Sequence, residues 1–500
     1  MRRLLSVVAL LGGALIVTTS TALAGGPVLV SKVNPYAGCT VGAFPGATNY
    51  KNAEVEPFLT YDPSSHSHLL SAWQQDRWSD GGAHGLVAGY SFDGGRSWKN
   101  SALPFSKCAP GGVNYERASD PGTAIGRDGN SYSIAISFDA DSIRNAVVAA
   151  TSPNGGRTWT NVVPIIQDVA NPVTGNPFND KELIFADPTR GGIAYAVWDR
   201  LADVPGAGNR VRQPVRETPA GHSQSGAAQP NASAPAQAAL PAFTGPTYFS
   251  RTTDGGKTWE KAHVIVPTGV NEQTIGNYIV IDARTDLLYD FFVFITADGK
   301  FHLGFVTSTD RGGHWTKPTI FQDLRTVGVP HLRTGDIIPI PTIDRATGWL
   351  YIVWQDSRFS GGKHDEIAIS RSTDGGRHWS EPQRVNQPTG QSAFTATVAV
   401  NSDGKVGVTY YQLQSYPRTY ITDYFMKVTT GRNLHFTDPE VVDAPFDIAD
   451  APVAGGFFIG DYQGLVAPGE SFHPLYVTTN SGNTVNPTDV WTRSTQDSRD

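Results

Sequence analysis

Carboxylate and guanidinium side chains recur at equivalent places in this sequence, beside short apolar segments. Where a first apolar segment begins, the chain places the acids Glu56, Asp120, Glu182, Asp336 and Asp461. Where a second apolar segment ends, or close by in sequence, it places Asp76, Arg77, Arg117, Arg333, Arg358, Tyr411 and Tyr462. Such groups, brought together, suit a sugar, and an acidic sugar above all, because arginine binds a carboxylate at two points.

Two other interpretations of these side chains stay open. Neighbouring Asp and Arg residues in loops often form structural ion pairs. A ring of oxygen ligands such as Glu56, Asp120 and Asp336 also suits calcium, but no loop carries the spaced Asp pattern of a dedicated calcium motif. No pair of histidines has zinc-ligand spacing either. We therefore expect no cofactor and no dedicated metal site.

An eight-residue pattern, here called the octet, recurs five times. It reads Ser or Thr, any, Asp, any, Gly, any, any, Trp, with Asn for Asp once; the copies start at Ser91, Ser152, Thr252, Ser308 and Ser372, and a degraded sixth starts at Thr429. The hydroxyl and the Asp can bond the backbone of a tight turn, and glycine accepts positive φ. The Trp buries a large apolar surface. The octet is therefore interpreted as a folding element.

A second pattern precedes each octet, in which a turn joins two short apolar strands. Its seven copies begin near Glu56, Asp120, Lys181, Gly276, Asp336, Thr395 and Asp461. Repeated units of four short strands predict an all-β protein, a β-propeller. We favour seven blades, with the segment 27–33 supplying the outer strand that closes the ring, and six blades are the alternative.

Propeller topology sorts these residues between two faces. The octets join third and fourth strands and lie on one face. The starts of first strands and the ends of second strands lie on the opposite face, around a central funnel, where loops are free to bind ligands. Trp73, Trp198 and Trp354, within second strands, are expected in the core.

The N-terminal segment and the amino-acid composition indicate where the protein acts and which partners it binds. Residues 1–24 read as a secretory signal, so we expect a secreted protein with one propeller domain over 25–496, no membrane span, and a monomeric state. Residues 204–242, rich in Ala, Pro, Gln, Gly and Ser, are predicted to be a flexible insert. The formal charge of −7 includes no basic run, which argues against nucleic acid. Outside the cell, Cys39 and Cys108 predict a disulfide.

The chain resembles the sialidase (neuraminidase) superfamily of Asp-box repeat propellers. The octets carry this resemblance, and the segments WQQDRW and WQDSR give further support. The resemblance implies a retaining exo-glycosidase that removes terminal sialic acid. Three arginines would hold the sugar carboxylate, a tyrosine assisted by a glutamate would be the nucleophile, and an aspartate would be the acid/base. On this resemblance Asp76 and Asp120 are candidates for the acid, and Tyr411 and Tyr462 for the nucleophile.

The sequence departs from the family pattern in the first inner strand. Sialidases carry Arg-Ile-Pro there, whereas this chain reads Glu54-Val55-Glu56-Pro57. A glutamate would repel the carboxylate that the arginines attract, so the arginines of the sugar site would have to be chosen from Arg77, Arg117, Arg333 and Arg358.

Three functions therefore stay open. The first is a sialidase-type hydrolase that removes terminal acidic sugars from glycans. The second is an enzyme acting on another acidic polysaccharide, either another glycosidase or a lyase with a base among His84, His331 and His364. The third is a non-catalytic propeller that binds glycan or protein. Neutralisation of every funnel carboxylate by a neighbouring Arg or Lys would favour the third.

Overall fold

The computed structural model describes residues 25–169, 175–207 and 242–495. The proposed leader, residues 1–24, lies outside them, as do residues 208–241 of the proposed insert. The described chain is all-β, and its two helices are short 3₁₀ turns at Arg358–Ser360 and Ile448–Asp450. No helix in the described ranges has the length and apolar character needed to cross a membrane.

The described strands form seven antiparallel groups in chain order, preceded by β1 (Val28–Leu29). Group 1 contains β2 (Glu54–Asp62), β3 (Ser65–Arg77), β4 (Ala83–Ser91) and β5 (Lys99–Ala102). Group 2 contains β6 (Arg117–Ile125), β7 (Ser131–Phe138), β8 (Asn145–Ser152) and β9 (Thr160–Asp168). Group 3 contains β10 (Phe178–Ala186), β11 (Ala194–Asp203), β12 (Phe243–Thr244), β13 (Thr247–Thr252) and β14 (His263–Val266).

Group 4 contains β15 (Gln273–Asp282), β16 (Leu287–Ile295), β17 (Phe301–Ser308) and β18 (Thr319–Leu324), and β19 (Leu332–Arg333) follows it. Group 5 contains β20 (Ile340–Ile343), β21 (Leu350–Asp356), β22 (Glu366–Ser372) and β23 (Gln383–Arg384). Group 6 contains β24 (Ala393–Val400), β25 (Val406–Leu413), β26 (Ile421–Val428), β27 (Glu440–Val441) and β28 (Phe446–Asp447), and β29 (Phe457–Phe458) follows it. Group 7 contains β30 (Gly464–Val466), β31 (His473–Thr479) and β32 (Thr488–Thr492).

Several pairings connect strands of different groups or distant parts of the chain, and two of them bear on the order of the groups. Ala83 pairs with Ala118 and joins groups 1 and 2 into one sheet. At the other end, β1 runs antiparallel to β32, with Val28 opposite Thr492 and Leu29 opposite Trp491. The outermost strand of the last group therefore comes from the start of the described chain.

Apolar side chains fill the space between consecutive groups. Leu70 and Leu86 of group 1, for example, pack in one cluster with Ala135 and Val148 of group 2. Similar clusters join the later groups in chain order, and one cluster combines groups 6 and 7 with group 1. The tryptophans of the second strands, Trp73, Trp198 and Trp354, are fully buried in these clusters, as predicted.

The first strands of all seven groups line one axial channel. Its lower part, here called the lower chamber, is lined by residues of all seven groups: 58–61, 63, 123–125, 184–186, 188, 278–281, 283, 341–343, 345, 398–400 and 465–467. Each of these residues lies on the first strand of its group or in the turn that follows it. The first strands of the seven groups therefore face one another across the same chamber.

The octets lie on the same face as the turns that follow the inner strands. In the octet of group 5, the Ser372 hydroxyl donates to Asp374 at 3.0 Å and accepts from the Gly376 N–H at 2.9 Å. In the octet of group 2, the Gly155 carbonyl lies 3.3 Å from His68, just after the turn that follows β2. We call this the octet face and its opposite the funnel face.

A disulfide joins Cys39 to Cys108, which confirms that prediction. It ties the loop that precedes β2 to the loop that follows β5. Because the bond spans 69 positions, it removes much freedom from the unfolded chain.

Candidate functional site

Each inner strand begins with one residue in the left-handed region of backbone space. These seven residues, here called the bulge ring, are Glu56, Asp120, Lys181, Gly276, Gly335, Thr395 and Gly460, with φ between 48° and 135°. The pairing register shifts at this point in groups 1, 2, 3, 4 and 6, as expected for a β-bulge. A side chain at Gly335 would lie 2.1 Å from the Asp461 carbonyl oxygen, so only glycine fits there.

Four of the seven left-handed residues are not glycine: Glu56, Asp120, Lys181 and Thr395. A non-glycine residue in this region costs roughly 1–2 kcal/mol, so the surrounding contacts must compensate for the strain. Such strain is concentrated at functional sites in many proteins, and here three of the four residues are charged.

The ammonium group of Lys181 binds three carboxylates at the heads of three different groups. Its Nζ lies 3.3 Å from Glu56 Oε1, 3.2 Å from Asp120 Oδ1 and 2.8 Å from Asp461 Oδ2. Lys181 and Asp461 are only 7% and 6% exposed, and Glu56 and Asp120 are fully buried. The acids predicted to face an open funnel are therefore gathered around a lysine in a nearly closed space. We call these four residues the Lys181 cluster.

Two arginines flank the cluster on the funnel face. Arg333 donates to Asp461, with Nε 3.0 Å from Oδ1, and its guanidinium lies 4.3 Å from the ring centre of Phe458. The guanidinium of Arg77 lies 4.8 Å from the same ring, and it donates to Gln74, which in turn donates to Glu56. One guanidinium group, that of Arg333, and one ammonium group, that of Lys181, therefore meet at Asp461, and Arg77 lies against the same Phe458 ring as Arg333.

A short parallel ladder covers the cluster. Leu332 and Arg333 of β19 pair with Phe457 and Phe458 of β29, and we call this pair of strands the cap. The Phe457 N–H also donates to the His331 carbonyl at 2.8 Å. Because Arg333 of the cap bonds Asp461 of the cluster, the ion pair holds the cap down.

A second, small cavity of about 30 Å³, here called the upper cavity, lies just below the bulge ring. Lys181, Glu182, Asn277 and Tyr462 line it at the level of the ring. It shares Phe58 and other wall residues with the lower chamber. The Tyr462 ring centre lies 5.9 Å from Lys181 Nζ, so the tyrosine predicted as a nucleophile does contact the cluster.

Glu182 and Asp461 have opposite proton affinities. Glu182 is fully buried and neither of its carboxyl oxygens has a hydrogen-bond partner within the described ranges. Burial, and then repulsion by Asp120, raise its pKa well above the ordinary value. Burial also acts to raise the pKa of Asp461, but Arg333 and Lys181 outweigh it and lower that pKa below its ordinary range. Glu182 therefore holds its proton more tightly than an ordinary carboxyl group, and Asp461 gives up its proton more readily.

Asp336 lies beside another buried acid, Asp365. The Thr326 hydroxyl lies 2.8 Å from Asp336 and 2.5 Å from Asp365. Burial, opposed by the bond from Thr326 and helped by repulsion from Asp336, raises the pKa of Asp365 to about 7. The sequence analysis did not single out Asp365 or Thr326.

Two of the four candidate arginines are engaged away from the Lys181 cluster. Arg117 donates to the Gly42 carbonyl at 2.8 Å and to Asp80 at 2.7 Å. Arg358 donates twice to Asp356, both times at 2.8 Å. The structure therefore brings Arg77 and Arg333 together and leaves Arg117 and Arg358 in structural ion pairs.

Asp76 and Tyr411 also hold other parts of the fold. Asp76 accepts from Asn34 at 2.7 Å, from the Asn52 N–H at 2.7 Å and from His84 at 3.1 Å. The Tyr411 hydroxyl donates to the Val477 carbonyl and accepts from its N–H, both at 2.9 Å. Burial strongly raises the pKa of Tyr411, which lies in the core between groups 6 and 7.

The candidate bases and the candidate calcium ligands are dispersed. His84 donates to Asp76, His331 adjoins the cap beside Tyr420, and the His364 carbonyl accepts from Ser360. In the described parts of the chain, no set of three or more His, Cys, Asp or Glu residues is arranged to hold a metal ion. The place between Glu56 and Asp120 is taken by the Lys181 ammonium group.

Sequence reasoning named Lys181 only as the start of a repeat and missed Phe458 altogether. An alignment of the seven repeat starts would have placed Glu56, Asp120 and Lys181 at one equivalent position, with complementary charges. No sequence signal marks Phe458, because its role depends on the pairing of two loops.

Comparisons with known proteins give a fold likeness without a family. No family model and no curated protein matches the chain. Among solved structures, an α-L-arabinanase of Penicillium chrysogenum is 11% identical and covers 93% of this chain and 97% of its own, with a TM-score of 0.45. A NanB sialidase variant from Streptococcus pneumoniae is 10% identical and covers 94% and 98%, with a TM-score of 0.44. The Hadza microbial sialidase Hz136 is 12% identical and covers 91% and 94%, with a TM-score of 0.42. These similarities are too weak to support an argument about activity.

Proposed function

We propose that this protein is a glycoside hydrolase that removes terminal acidic sugars from glycans, in the manner of a sialidase. The observation that carries the proposal is the meeting of Lys181 and Arg333 at Asp461, close to Tyr462 and Glu182 at the heads of the inner strands, with Arg77 on the Phe458 ring that Arg333 also contacts. Cationic groups of this kind suit the carboxylate of an acidic sugar. Asp461 occupies the space between Lys181 and Arg333 and would be displaced by the substrate carboxylate.

In this proposal Glu182 is the general acid. A carboxyl group that stays protonated at neutral pH can donate to the glycosidic oxygen as the bond breaks. The raised pKa of Glu182 suits this role, and Glu182 lines the upper cavity, whereas Asp76 already accepts three hydrogen bonds and Asp120 is bound to Lys181. Tyr462, on the wall of the same cavity, takes the role of nucleophile that the family resemblance gives to a tyrosine.

The proposal requires the cap to move. Arg333 and Asp461 are each less than 8% exposed, so a sugar reaches them only when Leu332–Arg333 and Phe457–Phe458 lift. Glycines with positive φ flank the cap at Gly335, Gly455, Gly456 and Gly460. Such positions accommodate the backbone rotation that an opening motion needs.

We also infer the architecture and the location that this function implies. The seven strand groups would be the blades of one closed propeller over residues 25–496, with β1 as the fourth strand of the last blade. The pairing of Val28 with Thr492 supports this closure. Residues 1–24 would direct secretion, and the protein would act as a monomer on extracellular glycans.

The experiment is a substrate panel with two matched variants. Purified protein is incubated with fluorogenic glycosides of sialic acid, glucuronic acid, arabinofuranose and glucose. We expect release from an acidic sugar and a loss of kcat/KM of about 10²- to 10⁴-fold in Glu182→Gln. Asp290→Asn is the control, because Asp290 is equally buried and also has no side-chain hydrogen-bond partner in the described ranges, but lies on β16 outside the upper cavity. Absence of release from every acidic glycoside would refute the proposal.

A non-catalytic propeller that binds glycan or protein is the second candidate. The observation that favours it is charge compensation, because Glu56, Asp120 and Asp461 each bond Lys181 and Asp461 also bonds Arg333. On this alternative the Lys181 cluster is a structural hub. The same panel separates the two functions, since binding of an acidic glycan without any product would favour the second.

A further inference from the structure

The lower chamber opens on the octet face, far along the axis from the Lys181 cluster. Its mouth is formed by the turns that follow the inner strands, at Pro63, Pro188, Ala283 and Arg345. The chamber leaves a cavity of about 230 Å³, which is enough for a small ligand of monosaccharide size. The function proposed above makes no use of this mouth.

Arg345 is the only charged residue among the described residues that line the chamber. It is exposed, and no carboxylate lies within ion-pair distance of it in the described part of the chain. The neighbouring Asp344 is engaged elsewhere, since it accepts from Arg432 at 2.6 Å. The same turns carry Asp62, Asp187, Asp282 and Asp344, but these carboxylates are buried and bonded to other groups, so Arg345 is the charged group that faces the chamber. A positive charge placed this way can bind an anion.

The guanidinium group of Arg345 is held by an aromatic ring from a distant group. It belongs to the turn after β20 in group 5 and lies 5.1 Å from the ring centre of Tyr61 in group 1. The side chain thus reaches across the channel mouth. Stacking of this kind uses the face of the guanidinium and leaves its N–H edges free to bind a carboxylate.

The chamber wall near the mouth also carries hydroxyl groups. Thr60 and Thr342 are half-buried, and Thr123 lies on the same wall. Hydroxyl groups beside an aromatic ring and a guanidinium match a ligand that has both hydroxyl groups and a carboxylate.

We propose that the octet-face mouth of the axial channel is a second binding site, which takes a sugar acid through Arg345 stacked on Tyr61. The site lies on the face opposite the cap and is independent of the proposed hydrolase site. Its ligand class is a monosaccharide carboxylate, free or at the end of a chain, and no bond is made or broken there.

Isothermal titration tests this site with three probes: glucuronate, glucose and acetate. We expect glucuronate to bind, acetate to bind more weakly, and glucose not to bind measurably. In Arg345→Ala we expect the dissociation constant for glucuronate at this site to rise at least about tenfold. Arg284→Ala is the matched control, because Arg284 occupies the corresponding exposed turn of group 4 but is paired with Asp282 at 2.8 Å. That variant should bind glucuronate as the unmodified protein does.

Glucuronate could also bind at the Lys181 cluster. The comparison between Arg345→Ala and Arg284→Ala therefore shows whether glucuronate binds at the octet-face mouth. Equal glucuronate affinity in the two variants would overturn the proposal. So would absence of glucuronate binding by the unmodified protein, or glucose binding of equal strength. Tyr61→Phe, which keeps the ring, should preserve binding.

Discussion

Lys181 compensates three carboxylates in a space that water barely reaches. Burial of an ion costs several kcal/mol, and the attraction between ions repays it only when the geometry is good. Here the ammonium group lies within 3.3 Å of Glu56, Asp120 and Asp461. The stability of the inner ring therefore depends on one positive charge.

Replacement of that charge is the first prediction. Lys181→Met leaves three buried carboxylates short of a partner, and we expect the free energy of unfolding to fall by about 3–5 kcal/mol. Urea denaturation measures the change. Lys427→Met is the control, because Lys427 is also buried but faces the ring of Phe436, 5.7 Å away. A similar loss in both variants would show that the stabilisation comes from burial of the lysine stem and not from its charge.

Glu182 predicts a specific dependence of stability on pH. Folding raises the pKa of Glu182 above its value in the unfolded chain, which is about 4.3. In the pH range between these two pKa values, the folded state binds the proton of Glu182 more tightly than the unfolded state does. The stabilisation is complete below the unfolded pKa and is lost as the pH rises towards the folded pKa. Glu182→Gln should therefore gain stability relative to the unmodified protein as the pH rises from 4 to 8.

Denaturant unfolding at pH 4, 6 and 8 measures this effect. Glu381→Gln, at an exposed position, serves as the control and should follow the unmodified protein at each pH. A constant difference between Glu182→Gln and the unmodified protein across this range would contradict a neutral Glu182.

At the scale of elements, the octets and the starts of the inner strands could be predicted from the sequence, because each depends on residues that are close together in the chain. An octet closes its turn within eight residues, as the bonds of Ser372 to Asp374 and Gly376 show. The predicted starts at Glu56, Asp120, Lys181, Gly276 and Thr395 coincide with left-handed residues of the bulge ring. Short patterns of glycine, acid and apolar residues are enough to mark such features.

The contacts between elements could not be predicted, because they join residues that are far apart in the sequence. Lys181 and Asp461 are separated by 280 positions, and Arg333 and Asp461 by 128. The cap is formed by two-residue strands with no alternating pattern. For the same reason the sequence could not tell that Arg117 would bond Asp80 of an earlier loop while Arg77 and Arg333 would meet at Phe458.

The disulfide is the element whose removal is easiest to test. The double replacement Cys39→Ser with Cys108→Ser frees a long loop in the unfolded chain, and we expect a loss of about 2–4 kcal/mol. The melting temperature with and without the bond measures the effect. An unchanged melting temperature would mean that the loop before β2 is held by its other contacts, such as those of Asn34 with Asp76.

At the scale of the whole molecule, β1 connects the two ends of the described chain. Asn100 of β5 fixes the segment that follows β1, since its amide donates to the Val30 carbonyl at 2.9 Å and accepts from the Lys32 N–H at 2.8 Å. Group 1 therefore holds the segment whose strand completes group 7.

Asn100→Ala should loosen this closure. Loss of the side-chain bonds to Val30 and Lys32 is expected to cost about 1–3 kcal/mol. Hydrogen exchange should show faster exchange in β1 and β32, with inner strands unchanged. Uniform acceleration across all seven groups would instead indicate that closure and core unfold as one unit.

The account rests on Glu182 as a neutral acid that donates a proton to the leaving sugar oxygen. The direct measurement compares Glu182→Gln with the unmodified protein on two acidic glycosides, one with a good leaving group (dinitrophenol) and one with a poor leaving group (a simple alcohol). A good leaving group departs without a proton, so we predict a loss of kcat/KM of about 10²-fold or more on the alkyl glycoside and a far smaller loss on the dinitrophenyl glycoside. Equal losses on both glycosides, or full activity of Glu182→Gln on the alkyl glycoside, would contradict the account.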